Sequence, residues 1–221
     1  AQHGYAVCIN YKSNSKAATS LAKEITAEGG YCITVQADVA NEADVLRLFS
    51  AIDDKFGPLS VLVNNAAVLQ TQSRLVDMSA ERINTVLVNN VTSAFLCCRE
   101  AIKRMPNGGA IVNVSSAASR IGAPGEYIDY AASKGAMDSL TKGLSLELAE
   151  RNIRVNAVRP GFIDTEMHAD GGEPNRVQRL SPQIPLKRGG TAAEVANSIA
   201  WLLSSEASYV TGTFIDIAGG K

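Results

Sequence analysis

Metal-ligating residues are scarce in this chain: it has two histidines and four cysteines among 221 residues. His3 and His168 lie far apart, and neither has a second candidate ligand at metal-binding spacing. No metal site is therefore expected, and there is little material for a Ser-His-Asp triad. Cys8, Cys32, Cys97 and Cys98 form no C-x-x-C pair. The first two fall in apolar runs and the last two are neighbours in a helical stretch. All four read as small buried hydrophobes in a reducing compartment, the cytoplasm. Neither sign of charge is in excess: the net charge is −1, which offers no electrostatic footprint for nucleic acid. No apolar run reaches membrane-spanning length, and the opening residues carry no signal-peptide pattern. What remains is 46% hydrophobic and 19% charged, an ordinary globular composition. Its expected partners are small molecules and copies of itself.

Strand-like and helix-like segments alternate along the chain. Tyr5 to Ile9 is a short apolar run that suits a buried strand. Ala17, Ala18, Leu21, Ala22 and Ile25 recur with helical period until Gly29-Gly30. Tyr31 to Val35 reads as the next strand. Asn41 then suits the N-cap of a helix with Val45, Leu48, Phe49, Ile52 and Phe56 on one face. Leu59 to Val63 is apolar enough for a strand covered on both faces. Further on, the pattern predicts helices over about 80–105 and 127–149 and strands over 110–114 and 153–158. A Thr191/Glu194 capping box opens a last helix, and Phe214 to Ile217 forms a final strand. This alternation specifies one α/β domain, a parallel sheet wound on both sides by helices in three layers. Such a sheet normally opens with a strand, a glycine-rich turn and a helix. No such unit precedes Tyr5, and the expectation is that the sequence lacks this unit.

Three local patterns carry chemistry. Tyr130-Ala-Ala-Ser-Lys134 puts a phenol and an ammonium on one helix face. An adjacent cation lowers a phenol's pKa and suits it to proton exchange, although an ordinary surface pair has the same spacing. Val112-Asn-Val-Ser115-Ser116 ends a strand, where a serine hydroxyl can bond a substrate oxygen or simply cap the next segment. Leu62-Val-Asn64-Asn65-Ala66-Ala67 follows another apolar strand, and permits either close backbone approach to a ligand ring or a plain turn.

In this order and spacing the three patterns resemble the short-chain dehydrogenase/reductase family. The likeness extends to Asp38-Val39, to Asn90 in Asn-Val-Thr-Ser, to Arg159-Pro160-Gly161-Phe-Ile163-Asp-Thr165, and to the ending Tyr209 to Gly220. Ser115 to Tyr130 resembles bacterial glucose 1-dehydrogenase-like oxidoreductases. The resemblance implies a Rossmann-like domain over residues 1–221 that interconverts an alcohol or sugar hydroxyl and a carbonyl. Tyr130 would exchange the proton, and Lys134 would lower its pKa and hold the nicotinamide ribose. Ser116 would orient the substrate oxygen, and Asn90 would hold a water linking Lys134 to solvent. Asp38 and Val39 would lie against the adenine, Asn64, Asn65 and Ala66 along the adenosine side. Pro160, Gly161, Ile163 and Thr165 would line the nicotinamide end.

The pattern departs from the family in places. Ala67 replaces the last glycine of N-N-A-G, and Ser116 stands one residue further from Tyr130 than usual, so Ser115 is a rival. The residues Asn10, Tyr11 and Lys12 occupy the position where NAD-preferring sheets place a carboxylate for the ribose 2′-hydroxyl. NADP is accordingly favoured over NAD, with a solvated loop charge as the plainer reading of Lys12. Residues 166–188 are expected to form a substrate lid, with Met167, His168, Glu126 and Tyr127 as candidate pocket residues. Family likeness also implies a homotetramer built through residues 80–105, 127–149 and 209–220. The alternative to an enzyme is a nucleotide-binding regulatory protein of the same fold, which would not require Asn90, Ser116, Tyr130 and Lys134 together.

Overall fold

The computed structural model describes residues Ala1 to Lys221. Its strands are β1 (Val7–Tyr11), β2 (Cys32–Gln36), β3 (Val61–Asn64), β4 (Gly109–Val114), β5 (Ile153–Pro160), β6 (Ile163–Asp164), β7 (Gly190–Thr191) and β8 (Phe214–Ile217). Its helices are α1 (Ser15–Ala27), α2 (Glu42–Phe56), α3 (Ala80–Leu87), α4 (Ser93–Lys103), α5 (Ala118–Ile121), α6 (Ile128–Glu147), α7 (Met167–Asp170), α8 (Arg176–Leu180) and α9 (Ala192–Leu203). No helix is long and apolar enough to cross a membrane.

Every strand pairing is parallel, but the ladder is not continuous. The order β3-β4-β5-β8 forms one unit, β1-β2 a second, and β6-β7 a short third. The parallel sheet expected from the alternation is present as separate ladders: β1 pairs only with β2, and β3 only with β4. Side-chain packing joins the two larger units. Cys8, Val35 and Val39 from the first meet Leu62, Ile111 and Val155 from the second in one core, closed by α2, α4 and α6. Val112 and Val158 face the opposite way, into a second core with Val195 and Leu202 of α9. β4 and β5 are thus covered on both faces, as their near-unbroken apolar runs require.

Local signals account for most boundaries. Asn41 Oδ1 accepts from the Asp44 amide, and Gly57, at φ 71°, ends α2. Thr191 and Glu194 make the reciprocal capping box of α9. The helix expected over 80–105 is not one helix. A π-helical turn over Val88–Thr92 separates α3 from α4, and it carries Asn90, whose contacts are described below.

Candidate active site

The carboxyl ends of β3, β4 and β5 lie side by side, with Asn64 in register with Asn113 and Val114 with Val158. Helix α6 crosses this edge and supplies Tyr130 from its first turn and Lys134 from the next. Lys134 is buried; its Nζ donates to the Val114 carbonyl at 2.7 Å and stands 5.5 Å from the centroid of the Tyr130 ring.

The two serines at the end of β4 have different surroundings. Ser115 is buried, and its hydroxyl donates to the Lys134 carbonyl at 3.1 Å, fastening α6 to the strand. Ser116 is half-buried; its Oγ accepts from the Ala118 amide at 3.1 Å, and its hydroxyl works to lower the pKa of the Tyr130 phenol. Ser116 therefore faces the phenol, and Ser115 is occupied by the backbone.

Burial sets the electrostatics. It pushes the Tyr130 phenol up to about 12, with the Ser116 hydroxyl pulling the other way. It pushes the Lys134 ammonium down to about 8, opposed by the carboxylate of Asp138 one turn along α6. The spacing alone predicts a phenol lowered by its lysine. With the cation over the ring face, desolvation prevails instead.

Asn90 sits in the π turn and is buried. Its Oδ1 accepts from the Val68 amide at 2.7 Å, and its Nδ2 donates to the Val68 carbonyl at 3.0 Å and to Ser133 Oγ at 3.1 Å. Ser133 in turn donates to the Tyr130 carbonyl at 2.7 Å. The Asn90 side chain thus ties the loop after β3 to the helix of Tyr130, and its amide makes no direct bond to Lys134.

The remaining positions divide. Asn64 is half-buried and donates to Asn113 Oδ1 at 2.8 Å, so its side chain braces the sheet. Asn65 and Ala66 are exposed beyond it. Gly161 follows Pro160 at the end of β5, and a Cβ there would stand 2.9 Å from the Ala218 Cα. Ile163 is buried and Thr165 exposed. Asn10, Tyr11 and Lys12 meet Asp38 and Val39 at the ends of β1 and β2. There Asn10 Nδ2 donates to the Ala37 carbonyl at 2.9 Å, and Lys12 pairs with Asp38 at 2.7 Å.

The segment expected as a lid contains α7 and α8 and is tied down at several points. Arg176 is buried and bonds to both oxygens of Glu126 and to Glu173. Gln72 donates to Glu173 at 2.7 Å, and the Tyr127 hydroxyl donates to the Gly171 carbonyl at 3.0 Å. Glu126 therefore anchors this segment through Arg176. His168 Nε2 lies 3.0 Å from the Ile163 carbonyl, while its buried Nδ1 has no partner. Sequence reasoning missed Arg82, Asp129, Asp138 and Arg176, whose partners lie on other elements or carry no motif.

Residues 1–221 match a family model described as enoyl-(acyl carrier protein) reductase. The chain is 60% identical over 226 residues to the uncharacterized oxidoreductase YgfF of Escherichia coli (strain K12), covering 100% of this chain and 92% of that protein. A short-chain dehydrogenase/reductase from Serratia marcescens BCRC 10948 matches with a TM-score of 0.93 at 33% identity, covering 100% and 89% of the two chains. A blue fluorescent protein from a metagenomic library, in complex with NADPH, matches with a TM-score of 0.91 at 32% identity, covering 99% and 88%.

Proposed function

Because this chain belongs to the short-chain dehydrogenase/reductase family, we propose that it interconverts an alcohol or sugar hydroxyl and a carbonyl, with NAD(P) as cofactor and Tyr130 as acid/base. The convergence of Ser116, Tyr130 and Lys134 at the carboxyl end of β4 carries this reading. The donor set suits a dinucleotide. An ammonium has three N–H groups, and the bond to Val114 uses one, leaving two for a vicinal diol such as a ribose. Small, exposed Asn65 and Ala66 permit close backbone approach.

A bound nicotinamide supplies or accepts the hydride. The Tyr130 hydroxyl gives a proton to the substrate oxygen in reduction and takes it back in oxidation. The Ser116 hydroxyl bonds the same oxygen and stabilises charge developing there. The Lys134 ammonium stabilises the phenolate left behind. Asn90, through Ser133, holds the helix that carries both. Incubating the protein with NADPH or NADH and a panel of aldehydes, ketones and sugars tests this: cofactor oxidation with at least one class supports it, and inertness towards all contradicts it.

NADP is the favoured cofactor. Lys12 is largely exposed at the end of β1, where it can reach a 2′-phosphate, although Asp38 shares its charge. The ratio of kcat/KM for NADPH over NADH should exceed one, and Lys12→Glu should invert it; a strong NADH preference in the parent contradicts the reading. Assembly into a homotetramer is supported by apolar side chains left open on the long helices, Phe95 at 51% and Leu146 at 67% exposure. Sedimentation mass tests it, and a monomer contradicts it.

A further inference from the structure

Tyr130 is the third residue of α6. Amides of a first helical turn have no intrahelical carbonyl to bond, and helix ends fray when nothing replaces it. The preceding Tyr127 provides no side-chain cap. What secures the turn is Asp129, whose Oδ1 accepts from the Tyr130 amide at 2.9 Å. The same carboxylate is gripped by Arg82 of α3, with Nε to Oδ2 at 2.8 Å and Nη2 to Oδ1 at 3.4 Å. Arg82 Nη1 also donates to the Thr71 carbonyl at 2.6 Å. One guanidinium therefore ties together α3, the loop after β3 and the first turn of α6.

The ion pair is buried, with side-chain exposures of 15% for Arg82 and 2% for Asp129. Burying two charges is costly, and an apolar pair of similar volume often stabilises a protein as well or better. Stability alone thus gives a poor account of the pair. Its attachment to the amide of the acid/base tyrosine gives a better one. The backbone on either side of the ring is held: the amide by Asp129 and the carbonyl by Ser133, itself bound to Asn90.

We propose that Arg82 and Asp129 are positioning residues that fix Tyr130 against fraying of α6. Its catalytic meaning rests on the acid/base role proposed above. Both act through the backbone of Tyr130 and exchange no proton with substrate. Their contribution is the geometric constraint that makes an acid/base group effective, where a displacement near 1 Å costs about a hundredfold in rate.

The double variant R82M/D129L tests this, because it removes the Oδ1 acceptor together with both charges and strands neither charge. Two measurements on the whole protein at neutral pH read the outcome. Amide hydrogen exchange compares residues 127–134 with 137–147, and NMR of ζ-13C-tyrosine follows the Tyr130 line, assigned by its loss in Tyr130→Phe. The expected result is exchange faster by at least about tenfold at the first turn, unchanged exchange further along, and a broadened or split Tyr130 line. An unchanged Tyr130 line, or exchange accelerated evenly along α6, overturns the proposal. Should the double variant not fold, Arg82→Lys, which keeps the cation but loses the planar fork, is read by the same criteria. Neither readout needs turnover. Failure of the parent to bind or oxidise NADPH counts against the dehydrogenase reading and leaves the positioning test intact.

Discussion

The ammonium of Lys134 lies over the face of the Tyr130 ring, 5.5 Å from its centroid, while its nitrogen donates to the Val114 carbonyl at 2.7 Å. Both groups are displaced from their ordinary ionisation by burial, the lysine down to about 8 and the tyrosine up to about 12. Reductive turnover should therefore decline as pH rises through about 8, where Lys134 gives up its proton. Asp138 works to raise that value. Asp138→Asn should move the alkaline limb of kcat/KM to lower pH, and an unmoved limb contradicts the assignment.

Stability has its own pH signature at this residue. The folded pKa of Lys134 lies below its unfolded value, so the folded chain binds fewer protons between about 8 and 10.5. The penalty for burying the cation is complete below about pH 8 and is relieved as pH rises through that window. Lys134→Met should stabilise the fold at pH 7 by up to about 3 kcal/mol, with the gain shrinking towards pH 10. Urea melts at pH 7 and 9.5 measure the difference. A gain that does not shrink contradicts this account.

Asn90→Ala removes one acceptor and two donor bonds from a buried position. The Val68 amide loses its partner, at a cost of about 2 kcal/mol. The loop after β3 should loosen, seen as faster exchange at Val68 and a lower urea midpoint, and turnover should fall more than cofactor affinity. Unchanged exchange at Val68 contradicts the bracing role.

Glu100 lies far from this site and reports on the fold alone. Burial works to raise its pKa, but hydrogen bonds from Lys103, Arg104 and Arg99 outweigh it and hold the carboxyl at about 2. Its contribution is complete above its ordinary value near 4.5 and is lost as pH falls towards 2. Glu100→Gln should cost about 2 to 3 kcal/mol at pH 7, and the two proteins should converge near pH 2. Parallel stability curves down to pH 2 contradict this.

The segment carrying α7 and α8 is held by Arg176, which joins Glu126 and Glu173. Its packing is close, since a Cβ on Gly171 would stand 2.7 Å from Leu69 Cδ2. Arg176→Met should free α7 and α8, raising KM several-fold with a small change in kcat, and exposing residues 168–180 to protease. Unchanged cleavage resistance in that segment contradicts the anchoring role.

How far these features can be read in the sequence depends on the range of the interactions behind them. Tyr130 and Lys134 lie one helical turn apart and are visible as a pair. Asn41 and the Thr191/Glu194 box act within three residues and mark α2 and α9 correctly. The break at Val88–Thr92 escapes periodicity, because it accompanies the reach of Asn90 to Val68, across the fold. The separation of Ser115 from Ser116 depends on which hydroxyl meets the Lys134 carbonyl, a choice that spacing to Tyr130 does not make. Arg82 with Asp129 and Arg176 with Glu126 are ion pairs between elements distant in sequence, with no motif to announce them. The divided sheet is likewise a matter of which strands pair, which apolar runs do not specify.

The role proposed for Tyr130 is acid/base of a nicotinamide-dependent reaction. Its most direct test compares the parent with Tyr130→Phe in NADPH oxidation with the best carbonyl substrate, alongside NADPH affinity measured by fluorescence. Turnover should fall by at least about a thousandfold with affinity little changed. Retention of turnover by Tyr130→Phe within about tenfold of the parent would contradict it.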